Sequence, residues 1–159
     1  MIRGSKRKGN ALIEFALACG ILIPAMLATF QFGYSFYYYN NLQNRVRGAG
    51  RYAATRTYDS ATNTPSNNYK NAVSNMVMNG TTSTSAPQVG VTPGGDEYRL
   101  VNPINPDNID IVMTFTDGVP GSVTVKLKNY EMDAFFTKFR LSGKPSVTFP
   151  FIGRWDPVQ

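Results

Sequence analysis

Few residues in this chain could do chemistry, and the most unusual of them stand together near the start. Lys6, Arg7 and Lys8 are followed by Gly9 and Asn10, and Glu14 and Phe15 then open an apolar run. Between Glu14 and Arg45 there is no formal charge, and from Phe15 to Phe32 only Thr29 and Gln31 are clearly polar. That run exceeds the roughly 20 apolar residues that cross a bilayer. A carboxylate within such a segment costs a few kcal/mol and usually has a partner or a function. A plain anchor has no use for Glu14. If the chain is cut between Gly9 and Asn10, a new ammonium appears about one helical turn from Glu14. In a stack of subunits, the ammonium of one chain could then pair with the Glu14 carboxylate of another.

Catalytic sets are missing elsewhere. There is no histidine, which removes the commonest general base and metal ligand. Cys19 is the one cysteine and lies in the apolar run, so neither an intrachain disulfide nor a thiolate zinc cluster is available. Ala16-Leu17-Ala18-Cys19 is a poor lipobox, because the apolar stretch before it is short and contains Glu14. Asp96-Glu97 and Asn105/Asp107/Asn108/Asp110 offer oxygens for calcium, but their spacing is not that of an EF-hand. No phosphate-cradling glycine loop occurs. The aromatics lack an accompanying basic stripe, so no nucleic-acid partner is expected. The chain is not expected to be an enzyme, and no cofactor or metal is expected.

The motif Arg7-Lys8-Gly9-Asn10-Ala11-Leu12-Ile13-Glu14-Phe15-Ala16-Leu17 resembles the type IV pilin processing site. Its form is closest to the TadE-like group, the minor pilins or pseudopilins of tight-adherence (Flp-type) pilus systems. Asn10 replaces the hydrophobic residue that ordinary type IV pilins carry after the cut. A second stretch, Val46-Arg47-Gly48-Ala49-Gly50-Arg51-Tyr52-Ala53-Ala54, resembles the group's Ala/Gly/Arg-rich segment. The resemblance implies cleavage at Gly9/Asn10 by a membrane aspartyl prepilin peptidase. It also implies filament packing through the N-terminal helix, with Glu14 and Phe15 setting register. The partners it implies are other pilin subunits, the peptidase, the assembly platform and membrane lipid. Two alternatives remain open at this point. One is an unprocessed single-pass membrane protein with an extracytoplasmic binding domain. The other is a major pilin of a distinct lineage, although Flp-type major subunits are much shorter than this chain.

These residues need an element to carry them, and length and charge bound what it can be. The 159 residues leave room for one modest domain beside a membrane helix. Of the formal charge of +6, four basic residues lie in the first nine; without them the chain carries 12 basic and 10 acidic side chains, or +2. The basicity therefore belongs partly to a leader. Lys6, Arg7 and Lys8 also act as a topology signal that holds the N-terminus in the cytoplasm. The location expected is the bacterial cytoplasmic membrane, then the pilus or cell surface.

Three parts follow: a disordered, removable leader over residues 1–9, one long helix over 10–58, and an extracytoplasmic α+β domain over 59–159. Pro24 should kink or loosen the helix. Tyr34 to Tyr39 form an aromatic belt at the outer interface. Leu42, Val46, Ala49, Ala53 and Ala54 then recur at helical spacing. Gly48 and Gly50 either permit close packing or merely weaken the helix. Ser66 or Asn67 caps a short helix whose apolar face is Tyr69, Ala72, Val73, Met76 and Val77, and Asn79-Gly80 ends it. Thr81 to Pro87 is an exposed connector, and residues 88–101 add a short strand. Ile109 to Thr116 and Val123 to Leu127 alternate as a hairpin about the turn Asp117–Gly121. Val147, Phe149 and Phe151 give a third strand, with Pro150 placing it at an edge or bulge. Between these strands Tyr130 to Leu141 is expected to form a helical turn or loop, with Met132, Phe135, Phe136 and Phe139 plugging the core. The fold class expected is α+β: a long N-terminal transmembrane helix carrying a small antiparallel sheet and a short extra helix.

Overall fold

A computed structural model describes residues 6–82, 104–133 and 138–157. The expected strand at 88–101, Asp96-Glu97, and Phe135 and Phe136 lie outside the described residues. The fold is α+β. Helix α1 spans Lys6–Thr55 and helix α2 spans Asn67–Asn79. A 3-10 turn at Pro106–Asn108 leads into strands β1 (Ile109–Thr116), β2 (Val119–Leu127), β3 (Tyr130–Asp133), β4 (Lys138–Leu141) and β5 (Ser146–Pro150). The chain divides into two compact units, residues 1–38 and 39–159.

The first unit is helical from Lys6. Helix therefore extends into the stretch expected to be a disordered leader, because Lys6, Arg7 and Lys8 are good helix formers and only Gly9 opposes it. It continues through Pro24 without a break in helical assignment. At its other end α1 stops at Thr55, before Tyr58. The chain is drawn out there: the Tyr58 amide donates to Arg154 O at 2.7 Å, and Tyr58 bridges Trp155 in parallel.

In the second unit the α1 stripe expected from sequence is buried, with Leu42, Val46, Ala49 and Ala53 fully inaccessible. Helix α2 begins as its sequence demands. Ser66 Oγ accepts from the Tyr69 amide at 3.2 Å and donates to Asp59 Oδ2 at 2.6 Å. Gly80 closes the helix at φ 72°, and its amide bonds Met76 O. The buried face is turned slightly from the expected one: Ser74 and Met78 are buried with Tyr69, Val73 and Val77, while Ala72 and Met76 are partly exposed.

Strands β1, β2 and β5 form one antiparallel sheet in that order. Ile109, Ile111, Met113, Val123, Val125 and Leu127 are buried on one face. The other face carries cross-strand pairs, Asp110 with Lys126 at 3.2 Å and Thr124 with Thr148 at 2.8 Å. The connecting turn is shorter than expected. Only Asp117 (φ 53°) and Gly118 (φ 78°) lie outside the strands, the two-residue turn that suits strand twist. Val119, Pro120 and Gly121 belong to β2. Thr114 pairs with Ser122 and Phe115 with Pro120, so Gly121 is the extra residue of a bulge. Crossing it shifts the buried phase, and Pro120 is buried along with Val123. Pro150 sits on the edge strand β5, as its missing amide requires.

Residues 130–133 and 138–141 correct the expectation of a helical turn or loop. Tyr130 pairs with Leu141 and Met132 with Phe139 in a second antiparallel sheet, β3 with β4. Asn129 at φ 50° makes the corner, and Asn108 Nδ2 donates to the Lys128 and Asn129 carbonyls. Tyr130 and Met132 enter the core, but Phe139 is 47% exposed and plugs nothing.

Tyr58 and Tyr69 meet edge to face at 5.2 Å, and Tyr69 donates its hydroxyl hydrogen to Ala53 O. Burial is the main cause that pushes both phenols above the ordinary value of 10.0. Both ionise more readily in the unfolded chain. Their contribution is therefore complete below about pH 10 and declines as pH rises beyond it. Tyr69→Phe, which leaves Ala53 O unpaired, is expected to cost about 2 kcal/mol in thermal or urea unfolding. The same variant is expected to reduce the loss of stability above about pH 10.

Candidate functional site

Lys6, Arg7 and Lys8 occupy the first turn of α1. At Gly9 an added Cβ would meet no described atom within 4 Å, so the Gly9–Asn10 peptide stands in open space. Asn10 and Glu14 are four residues apart on a continuous helix and share a face. Both are exposed, and Phe15 beside them is 68% exposed. Glu14 has no hydrogen bond or ion pair among the described residues. The residues expected from sequence to be cut and to set register thus lie on the first turns of one helix.

Beyond Glu14 the apolar side chains point outward in every direction. Leu17, Ile21, Leu22, Met26, Phe30 and Phe32 are all well exposed. A helix apolar around its full circumference belongs in a membrane or in the core of a larger assembly. Helix α1 is long and apolar enough over Gly9–Thr55 to cross a bilayer. Thr29 donates its hydroxyl to Ala25 O at 2.9 Å, which satisfies it without water. Cys19 is half-buried and unbridged.

The oxygen-rich stretch considered for calcium has other roles. Asn108 Oδ1 accepts from the Asn105 amide at 3.2 Å, Asn108 Nδ2 holds the β2–β3 corner, and Asp110 pairs with Lys126. Among the described residues, no group of three His, Cys, Asp or Glu is placed to hold a metal.

The end of the chain supplies a feature that periodicity does not reveal. The Ile152 and Gly153 amides both donate to Ala54 O at 2.9 Å, and the Asp156 amide donates to Tyr58 O. Trp155 Nε1 donates to Ser60 O at 3.0 Å. The C-terminal segment therefore caps the end of α1. Isolated apolar residues around Gly153 form no repeat that would reveal this in the sequence.

Residues 9–51 match the family model described as TadE-like protein. No curated protein and no solved structure matches the chain. The matched segment holds Gly9, Asn10, Glu14, Phe15 and the whole outward-facing apolar stretch. This N-terminal helical segment is therefore similar to TadE-like proteins.

Proposed function

We propose that the chain is a structural subunit of a Tad-type pilus or of its assembly machine, matured by cleavage between Gly9 and Asn10. The observation that carries this reading is the lone exposed Glu14 at the head of an all-round apolar helix, within the TadE-like segment. Lys6, Arg7 and Lys8 hold the N-terminus inside, and the apolar helix waits in the membrane. The peptidase reaches the Gly9–Asn10 bond, and cleavage frees an ammonium at Asn10. On extraction, contacts between helices replace lipid, and Glu14 neutralises the Asn10 ammonium of an adjacent subunit. In a low-dielectric core this pair is strong, and an unpaired carboxylate is costly.

Intact mass and N-terminal sequencing of the protein from native membranes and from sheared surface filaments test the reading. A chain that begins at Asn10 and enters the sheared fraction sustains it. A full-length chain confined to membranes would replace it with a permanent single-pass anchor. Gly9→Leu is expected to leave uncleaved precursor as nearly all of the protein, read as a mass difference on the same preparation. Normal maturation of that variant would remove Gly9 from the cleavage site.

A further inference from the structure

Gly48 and Gly50 lie two residues apart in α1 and have opposite surroundings. At Gly50 a Cβ would stand 3.0 Å from Phe149 Cδ2 and 3.6 Å from Val147 Cγ1, so the approach of β5 accounts for the glycine. At Gly48 no described atom lies within 4 Å of the same position, and the residue is exposed. Glycine is among the least favourable residues for a helix interior. Nothing among the described residues requires it at 48.

What Gly48 does is line a groove of about 380 Å³, with Asn44, Arg45 and Ala49 of α1 and Met76 and Gly80 at the end of α2. Arg45 Nη1 donates to Met78 O at 3.3 Å along this groove. Arg47 and Arg51 are exposed on α1 nearby. Among the described residues none of these three arginines has an ion pair, and none of the groove's lining residues is acidic.

We propose that this groove is the docking surface for an acidic helix of a different subunit of the same apparatus, an inference that rests on the pilus-subunit reading. A backbone bare at Gly48 allows a helix to approach more closely than side chains would permit. The guanidiniums of Arg47 and Arg51, without an ion pair among the described residues, select carboxylates. A second copy of this chain does not fit, since α1 after Glu14 and all of α2 contain no Asp or Glu.

The test pairs stability with contact. In the purified full chain, Gly48→Ala is expected to raise the melting temperature by about 4 °C, because it removes only helix-disfavouring freedom. Gly48→Leu is expected to melt no lower than wild type. In native cells, a photo-crosslinking residue at Asn44 is expected to give an adduct whose linked peptide, by mass spectrometry, is an acid-rich helical segment of another protein. Gly48→Leu, and separately Arg47→Glu with Arg51→Glu, are expected to reduce that adduct by about tenfold or more. A fall in melting temperature for Gly48→Ala would place the reason for the glycine inside the chain and overturn the proposal. So would an adduct undiminished in Gly48→Leu, no adduct, or one linked to a second copy of this chain. An intact adduct, with the chain absent from sheared filaments, would overturn the filament reading and sustain the groove.

Discussion

Gly153→Ala is expected to lower the melting temperature of the full chain by about 10 °C, corresponding to about 3 kcal/mol. The methyl group would be driven into the carbonyl oxygen of Arg56 and would stand 3.0 Å from its carbon. Both are backbone atoms at the end of α1 and cannot swing aside as a side chain tip can. Relief requires the terminal segment to lift. That breaks the Ile152 and Gly153 bonds to Ala54 O and strains the pairing of Tyr58 with Trp155. Tyr58 is the centre of an aromatic cluster with Tyr69, Phe115 and Phe151, so the loss spreads through the core. Gly121→Ala is the comparison. Its Cβ would meet Thr116 Oγ1 at 2.9 Å, a side-chain atom that can rotate away, and the expected cost is less than half as large. Thermal unfolding of the two variants side by side checks the difference. Equal melting temperatures would show that the terminal segment yields freely.

Glu14→Gln and Glu14→Ala are expected to reduce recovery in sheared filaments by about tenfold or more, with the chain still inserted in the membrane. A carboxylate in the bilayer core costs about 3 kcal/mol on insertion scales, so removing its charge does not impair anchoring. On the proposed pairing, what is removed is the partner of the Asn10 ammonium in the next subunit. An unpaired ammonium in an apolar filament core is the larger penalty. Glu14→Gln keeps the size and hydrogen-bonding reach of the side chain and so isolates charge from shape. Quantitative immunoblots of membrane and sheared fractions provide the measurement. Normal recovery of the glutamine variant would exclude ionic pairing as the source of register.

Where sequence and fold agree, a local rule had little competition. Ser66 and Gly80 bracket α2 because a free hydroxyl and a left-handed residue are the simplest solutions at its two ends. The β1–β2 pair follows its alternation, and Glu14 stands out because nothing around it is charged. Departures occur where distant contacts decide. Tyr58 leaves the helix because the C-terminal segment pairs with it, a contact invisible in local periodicity. Val119-Pro120-Gly121 look like turn residues, yet they continue a strand because the bulge at Gly121 absorbs the irregularity. Phe139 looks like core by residue type but stays exposed on a two-stranded sheet. The Gly48 groove was only half legible. The sequence offers a pair of glycines, and only the position of β5 shows which of them faces another part of the chain.

The capping of α1 by residues 152–156 also orders events in time. Trp155 reaches Ser60 across a sequence separation of 95, and Ile152 and Gly153 close on Ala54. Such distant contacts make folding slow, because a long loop must close before any of them forms. Helix α1 is synthesised well before the residues that cap it. The second unit cannot complete its core until residues 152–156 are free to pair. Closure of residues 152–156 is then a natural checkpoint: a chain stalled or clipped before Ile152 keeps α1 but presents an open helix end and an incomplete aromatic cluster. Such a product would be open to proteolysis at that end.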